Sequence, residues 1–217
     1  MQNIFDIWEF VNFVTDKYRN GYISPEEFSK AIDEGQNIVW GTYFGKRQEG
    51  NELALVALQP FYKKVSVTSS GSGLATYPTL WAETQAIYAD LNGVTTEIIQ
   101  VLHNELQQVL VSSIYPIAEN PRYLEQETGV QLYPKATTIV DWHYLSKPTT
   151  PVLGYTVSGN TVIYNPLTSV QLQFATQYWY EVISIALNYI GVNLSNNEVS
   201  GLMSMYGINA NNGNGGN

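Results

Sequence analysis

Asp141 and His143 are the two residues of this sequence best placed to do chemistry. They flank Trp142 in a β-rich run, and alternate residues of a strand point to the same face, so their side chains would lie side by side. A carboxylate beside an imidazole can orient a general base or supply two ligands to a metal ion. A structural or exposed His–Asp pair is the favoured interpretation, because no G-x-S-x-G elbow supplies a nucleophile.

A second chemical pattern lies in DKYRNGYISPEEF, residues Asp16–Phe28. It resembles a twelve-residue calcium loop with glycine at the sixth position. The residues that match ligand positions of this loop are Asp16, Asn20, Tyr22, Ser24 and Glu27. The third position is Tyr18, which offers no carboxylate or amide oxygen, and the sequence has no second loop to pair with. Functional calcium binding is therefore the minor alternative.

The favoured interpretation of the same residues is a corner between two helices. Gly21 suits a turn, Ser24 can cap the next helix, and Pro25 suits its first position. Glu27 then completes a capping box with Ser24.

Other catalytic signals are absent from the sequence. His103 falls on a predicted helix, and no HExxH, P-loop or dinucleotide-binding motif occurs. Gly71-Ser72-Gly73 lacks the lysine and helix of a phosphate cradle, so it is interpreted as a loop. The 19 carboxylates offer no context that singles out a glycosidase acid and base. We therefore predict no enzymatic activity and no catalytic, cofactor-binding or metal-binding residue.

Composition indicates a globular protein with extensive contact surface. Of 217 residues 44% are hydrophobic, but only 13% are charged, about half the usual share of ~25%. The 16 tyrosines and five tryptophans suit an interface, where aromatic residues are enriched. A tyrosine-rich β-domain would explain the same composition.

The charge balance excludes several classes of protein. A net charge of −9 and a pI near 4.6 argue against a surface that grips nucleic acid, which requires a basic footprint. The absence of cysteine excludes disulfides and thiolate metal sites. The N-terminus has no basic segment typical of a signal peptide, and no apolar run is long enough for a transmembrane helix.

The N-terminus predicts a hairpin of two helices. One face of the first is formed by Ile4, Ile7, Trp8, Val11, Val14 and Tyr18. Phe5, Phe10 and Phe13 lie outside this stripe, and a helix that is apolar on all sides is normally buried on both. In a short N-terminal element, the second side is expected to face another subunit. The second helix is predicted from Pro25 to about Phe44, where Gly35 permits a close helix crossing or a kink.

The middle of the chain predicts strands with one short helix. The expected strands are Phe61–Ser69, Leu74–Leu80, Trp81–Tyr88, Val94–Gln100, Tyr123–Gln126 and Val130–Tyr133, and the expected helix is Val101–Ser113. Asn92-Gly93 and Thr128-Gly129 are signatures of hairpin turns.

The stretch Thr137–Leu194 carries the clearest pattern. It predicts a long strand that ends near Pro148, a hairpin of Leu153–Val157 with Thr161–Asn165, and a helix over Phe174–Ile190. Tyr178, Trp179 and Tyr180 are consecutive, so a helix cannot direct all three inward. At least one is expected to face outward and meet the next subunit.

A last helix is predicted over Asn196–Tyr206, with Ser195 as a possible cap. The predicted fold class is α+β, in which an N-terminal helical hairpin and C-terminal helices pack with a β-rich middle in a single domain. The predicted boundaries are 1–206 for this domain, 1–46 and 170–206 for its helical parts, 53–166 for its β-rich part, and 207–217 for a flexible Gly/Asn tail.

Several short motifs also follow one another in a recognisable order. They are VNFVTDKYRNGYISPEEFSKAI within Phe10–Ile32, Pro60-Phe61, Tyr77-Pro78, IAENPRYLEQETGVQLYP at Ile117–Pro134, YLSKP at Tyr144–Pro148, TVIYNP at Thr161–Pro166 and NYIGVNL at Asn188–Leu194. This order resembles that of the structural ring proteins of crAss-like and related tailed bacteriophages. More distantly, helices around a β-rich middle are similar to the tail adaptor or gatekeeper proteins of short-tailed phages.

The resemblance implies a virion protein made in the host cytoplasm. It would form a homo-oligomeric ring of twelve copies at the head–tail connector, contact the portal protein and adjacent tail or ring proteins, and extend the channel through which DNA is ejected. The family carries over no catalytic, cofactor or metal residue. An acidic ring would let DNA pass without sequence-specific binding. The alternative is a carbohydrate-binding or adhesion module of a phage or bacterial surface protein, which would be monomeric with an exposed aromatic platform.

Overall fold

The structure, a computed structural model, describes residues 3–19, 21–68, 71–91, 93–112, 119–135, 137, 139–159 and 161–205. Its helices are α1 (Ile4–Arg19), α2 (Pro25–Gln48), α3 (Glu52–Ala57), α4 (Leu106–Leu110), α5 (Trp179–Tyr189) and α6 (Asn196–Met205), with single 3₁₀ turns at Gln59–Phe61 and Thr176–Tyr178. Its strands are β1 (Tyr62–Val65), β2 (Leu74–Thr76), β3 (Trp81–Leu91), β4 (Val94–Gln100), β5 (Arg122–Gln126), β6 (Gly129–Tyr133), β7 (Ile139–Ser146), β8 (Tyr155–Ser158) and β9 (Thr161–Tyr164). The predicted α+β class, with helices at both ends and a β-rich middle, is confirmed.

The chain divides into two compact units. The first consists of Met1–Pro60 and Pro148–Asn217, and the second of Phe61–Lys147. Helices from both ends of the chain therefore belong to the first unit, where α5 packs against α1, α2 and α6. Helices of the N-terminal and C-terminal segments thus pack against each other.

The core of the first unit is the crossing of α2 and α5. Gly35 of α2 is buried, and a β-carbon added to it would lie 2.5 Å from the carbonyl oxygen of Val182 in α5. No side chain fits at that distance, so the glycine allows the two backbones to meet. Of the two alternatives predicted for Gly35, a close helix crossing or a kink, the structure shows the crossing.

Gln36, the next residue of α2, is fully buried and makes hydrogen bonds with both ends of its amide. Its Nε2 donates to the Thr149 carbonyl at 3.0 Å, and its Oε1 accepts from the Gln173 backbone N–H at 3.0 Å. The Gln173 side chain accepts in turn from the Thr149 N–H at 2.6 Å. A buried amide is tolerated when it is satisfied in this way, and it ties α2 to the segments on either side of the β8–β9 hairpin.

The first helix is buried on more than one side, as its composition predicted. Phe10 is fully buried, and the ring of Phe5 stacks on Tyr164 of β9 with centroids 5.1 Å apart. Phe13 remains exposed. Tyr18, predicted on the buried stripe, is also exposed, because it lies in the last turn of α1 next to the corner.

The second unit is a seven-stranded sheet in the order β1-β7-β3-β4-β5-β6-β2. Neighbouring strands are antiparallel except for β4 and β5, which pair in parallel at Ile99 with Arg122. The predicted hairpins β3–β4 and β5–β6 are confirmed. In the first of them Gly93 has a φ of +83°, while Asn92 lies outside the described residues.

One face of this sheet carries an apolar core. Its buried members are Ala75, Ile87, Ala89, Ile98, Tyr123, Val130, Leu132, Ile139, Trp142 and Tyr144. Because side chains alternate along β7, Trp142 and Tyr144 share one face and Asp141 and His143 the other.

Several predicted boundaries are wrong. Residues 53–57 open the predicted β-rich part but belong to α3, whose first turn is capped by the Asn51 side chain accepting from the Leu53 N–H at 2.9 Å. The elements predicted over Phe61–Ser69, Val101–Ser113 and Phe174–Ile190 shorten to β1, α4 and α5. Tyr206 and the tail 207–217 lie outside the described residues.

Candidate functional site

The corner between α1 and α2 is built as the capping interpretation predicted. Ser24 Oγ accepts from the Glu27 N–H at 3.2 Å, and Glu27 Oε2 accepts from the Ser24 N–H at 3.2 Å. Pro25 occupies the first helical position, where its missing N–H leaves no bond unmade. The Ile23 N–H is held by Asn12 Oδ1 at 3.0 Å, so α1 fixes the approach to the cap.

The same geometry gives two of the calcium-like residues, Glu27 and Tyr22, other partners. Glu27 is engaged in the cap, and the ring of Tyr22 lies edge-on to Trp8 with centroids 5.9 Å apart. Asp16 is exposed, and Asn20 lies outside the described residues. Within the described ranges, no three His, Cys, Asp or Glu side chains are grouped so that they could hold a metal ion.

A neighbouring acid, Glu26, accepts a hydrogen bond from the Tyr155 hydroxyl of β8. This bond lowers the pKa of Glu26 and raises that of Tyr155. The β8–β9 hairpin is thereby attached to the first turn of α2.

A cavity of about 650 Å³ opens at this corner. Tyr22 from the turn and Tyr189 from the end of α5 line it with side chains that are 63% and 61% exposed, and Glu27 and Lys30 of α2 also line it. Two aromatic faces beside an ammonium and a carboxylate can stack on a ligand and exchange hydrogen bonds with it. The sequence pattern did not reveal this site, because Tyr22 and Tyr189 are far apart in the chain and meet only after α5 has packed.

Asp141 and His143 lie on the same face of β7, as predicted. Lys64 of β1 stands opposite His143 in the strand register, and its Nζ forms an ion pair with Asp141 Oδ2 at 2.8 Å. The imidazole meets the ring of Tyr88 edge-on at 5.4 Å. Asp141 thus has a lysine as its partner and His143 a tyrosine, which favours the structural interpretation. The cavity is lined by residues of the first unit, so it includes neither of them.

Two other sequence candidates lie in turns. His103 precedes α4 instead of lying within it, because the helix begins only at Leu106. Gly71-Ser72-Gly73 leads into β2, and the Ser72 carbonyl accepts from Gln131 Nε2 at 2.9 Å. The loop interpretation of this glycine-rich segment is confirmed.

The three consecutive aromatics do not all point inward. Trp179 is buried and its Nε1 donates to the Phe174 carbonyl at 2.7 Å. Tyr178 and Tyr180 are half-buried, and Tyr178 meets the ring of Tyr43 edge-on at 5.4 Å. The part of the prediction that places one of them against another subunit stays a prediction.

Glu181 joins two of the tyrosines of the first unit. Its Oε1 accepts from the Tyr43 hydroxyl at 2.8 Å and from the Tyr180 hydroxyl at 3.0 Å. Burial and the hydrogen bond to Glu181 raise the pKa of both tyrosines. Both therefore remain neutral donors over the physiological range of pH.

Helix α3 buries its small side chains and exposes its large apolar ones, which is the reverse of an ordinary amphipathic helix. Ala54 and Ala57 face inward and are fully buried, whereas Leu53, Leu55 and Val56 face outward, and Leu53 is 72% exposed. Leu53 and Val56 are one helical turn apart, so their exposed side chains are neighbours on the helix surface, and Leu55 adds a third exposed apolar side chain to the same short helix. We call Leu53, Leu55 and Val56 the α3 patch.

The sequence matches no protein-family model, and no curated protein is significantly similar to it. Among the helices that the structure describes, none is both long enough and apolar enough to cross a bilayer.

Proposed function

We propose that this protein is a non-enzymatic structural component of a tailed-phage virion. It assembles with further copies of itself into a ring of the head–tail connector or tail, and the ring extends the DNA channel from the portal protein. Two lines support the proposal: the order of motifs that resembles phage ring proteins, and a surface suited to protein contacts.

The single observation that carries the proposal is the α3 patch. Burying a leucine or valine side chain stabilises a protein by about 1.5–3 kcal/mol, yet α3 buries its alanines and leaves its larger side chains in water. A second protein surface that covers the patch would add this stabilisation. A ring supplies that surface, because each copy contacts a neighbour on both sides.

The charge of the chain supports the role in DNA passage. Copies with a net charge of −9 repel phosphate, so a channel lined by them releases DNA instead of binding it. A structure of the assembled particle with a basic channel wall would contradict this part of the proposal.

The test is the mass and shape of the full chain in solution, by mass photometry and negative-stain microscopy. Wild-type protein is expected to form rings, and the double variant Leu53→Asp/Val56→Asp is expected to remain monomeric with its fold intact. Gln107→Asp/Gln108→Asp adds the same two charges to exposed positions of α4 and serves as the matched control. Equal assembly by both double variants would show that the α3 patch is not part of the interface.

A second function, carbohydrate binding, is favoured by the corner cavity. Tyr22 and Tyr189 could stack on a sugar ring, with Lys30 and Glu27 as hydrogen-bonding partners. Calorimetric titration with oligosaccharides would detect it. Tyr189→Ala should abolish such binding, whereas Tyr18→Ala, at an exposed tyrosine that does not line the cavity, should not. A monomeric chain that binds a glycan through Tyr189 would contradict the ring and establish this alternative.

A further inference from the structure

The turn between β2 and β3 contains a leucine in an unfavourable backbone conformation. The Trp81 N–H donates to the Pro78 carbonyl at 3.1 Å, which closes a four-residue turn. Leu80, the third residue of this turn, has a φ of +59°. It is the only non-glycine residue with positive φ in the part of the chain that the structure describes. Glycine and asparagine adopt this conformation much more readily, since the β-carbon of leucine crowds the backbone.

The surrounding structure holds Leu80 in this conformation from both sides. Its carbonyl accepts from the Lys147 N–H at 2.6 Å, just beyond the end of β7. The ring of Trp81 stacks on Tyr77 at a centroid distance of 3.8 Å, and the Tyr77 hydroxyl donates to the Gln126 carbonyl at 2.9 Å. A strained residue persists only where its neighbours fix it in this way, and such residues concentrate at functional sites.

The strain is not offset by burial of the side chain. Leu80 is 42% exposed, so much of its apolar surface remains in water. Glycine at this position would relieve the strain, and only the partly buried surface of the leucine would be lost. In the isolated chain, therefore, the exposed part of the side chain has no stabilising role that the structure accounts for.

We propose that Leu80 is a contact residue that inserts into an apolar surface of a second copy of this chain, an inference that rests on the proposed ring. Leu80 is exposed but does not line the corner cavity. Because sites for small molecules are concave, an exposed apolar side chain outside that cavity is better suited to a protein surface. The segment Tyr77–Trp81 carries no charge in a chain of net charge −9. Because like-charged copies repel each other over most of their surfaces, an uncharged segment is where two copies can approach most closely.

The test compares the stability and the self-association of full-length variants. Leu80→Asn and Leu80→Gly keep the turn and relieve its strain, so the midpoint of thermal unfolding should stay the same or rise. Self-association, measured by sedimentation over a concentration series, should weaken about tenfold or more, as for a central interface residue. Leu80→Met keeps a large apolar side chain at the same place and should associate nearly as wild type.

Val94→Asn is the matched control. Val94 is 63% exposed at the start of β4, where it pairs with Leu91 at the far end of β3. Its replacement removes exposed apolar surface without touching the Leu80 turn. Association that falls equally in Val94→Asn and Leu80→Asn would overturn the proposal, because the effect would then be a general loss of apolar surface.

The remaining outcomes also decide the question. Wild-type association that is unchanged in Leu80→Asn and Leu80→Gly overturns the role of Leu80 and leaves the ring standing. Lower unfolding midpoints in both variants overturn it as well, since the leucine would then stabilise its own chain. A wild-type chain that stays monomeric up to its solubility limit excludes self-association through Leu80. The proposed function itself fails by a different result, which is glycan binding by the monomer.

Discussion

Gly35 of α2 lies against the carbonyl of Val182 in α5, and only a residue without a β-carbon allows this approach. We expect Gly35→Ala to lower the free energy of unfolding by about 1–3 kcal/mol, because the added methyl group forces the two helices apart. Chemical denaturation with urea measures the change.

Two other glycines of the same helix provide the control for this substitution. A β-carbon at Gly41 or Gly45 would meet no atom within 4 Å. Alanine at either position should therefore stabilise the protein by about 0.5–1 kcal/mol, through its higher helix propensity. Destabilisation of equal size in all three variants would show that the close crossing is not the cause.

Removing the cap of α2 should lower the stability by less than Gly35→Ala does. Ser24→Ala removes the acceptor for the Glu27 N–H and should cost about 1 kcal/mol of stability. Ser66→Ala, at an exposed position outside the helices and strands, should change stability by less than about 0.5 kcal/mol. Thermal unfolding of the two variants side by side measures the difference. Equal midpoints would contradict a stabilising role of the cap.

The corner should not act as a calcium site. Since Glu27 already serves as a capping partner, calorimetric titration of the wild-type chain with Ca²⁺ should show no submillimolar binding. Binding in that range that disappears in Glu27→Ala would overturn the corner interpretation.

The tyrosines that share Glu181 predict a loss of stability at alkaline pH. Burial and the hydrogen bond to Glu181 raise the pKa of Tyr43 above its ordinary value, so the folded chain keeps this proton longer than the unfolded chain does. The contribution is fully present below the unfolded pKa of about 10, and it is lost as the pH rises above that value. Burial raises the pKa of Tyr123 to about 12, which acts in the same direction.

Tyr43→Phe separates these effects. At neutral pH the variant should lose about 1 kcal/mol for the missing hydrogen bond, and its unfolding free energy should fall less steeply above about pH 10. Urea unfolding at both pH values measures the two terms. Tyr18→Phe, at an exposed tyrosine, should change neither, and an unaltered alkaline slope in Tyr43→Phe would contradict the assignment.

The ion pair of Lys64 with Asp141 should contribute little to stability. Lys64 is exposed and Asp141 half-buried, and exposed pairs contribute about 0–1 kcal/mol, which salt screens further. Asp141→Asn should therefore shift stability by no more than that amount, and the shift should shrink in high salt. A loss several times larger would indicate that Asp141 has a role beyond this ion pair.

Local signals predicted the elements whose cause lies in a few neighbouring residues. The capping box at Ser24, the close crossing at Gly35 and the hairpin at Gly93 each depend on the chemistry of one turn or one missing side chain, and all three were predicted correctly. The secondary structure of short apolar runs was not predicted correctly. The run ELALVA reads equally as helix or strand, and the capping bond from Asn51 decided for the helix.

The features that the sequence did not reveal depend on packing between distant segments. The parallel pairing of β4 with β5 joins strands that are more than 20 residues apart in the chain, and no hairpin signature predicts such a pairing. The corner cavity needs Tyr22 and Tyr189 in one place, and no spacing rule links residues so far apart. The positive φ of Leu80 could not be predicted, because nothing in YPTLW indicates that its leucine adopts this conformation.

The division of the chain has a consequence for the order in which it folds during synthesis. The sheet unit begins and ends in adjacent strands, where Tyr62 of β1 lies opposite Leu145 of β7. It therefore possesses all of its strands once residue 147 has left the ribosome. The helical unit also needs α5, which is made more than 30 residues later. The face of α2 around Gly35 can therefore be covered by α5 only after the whole β-rich insert has been synthesised.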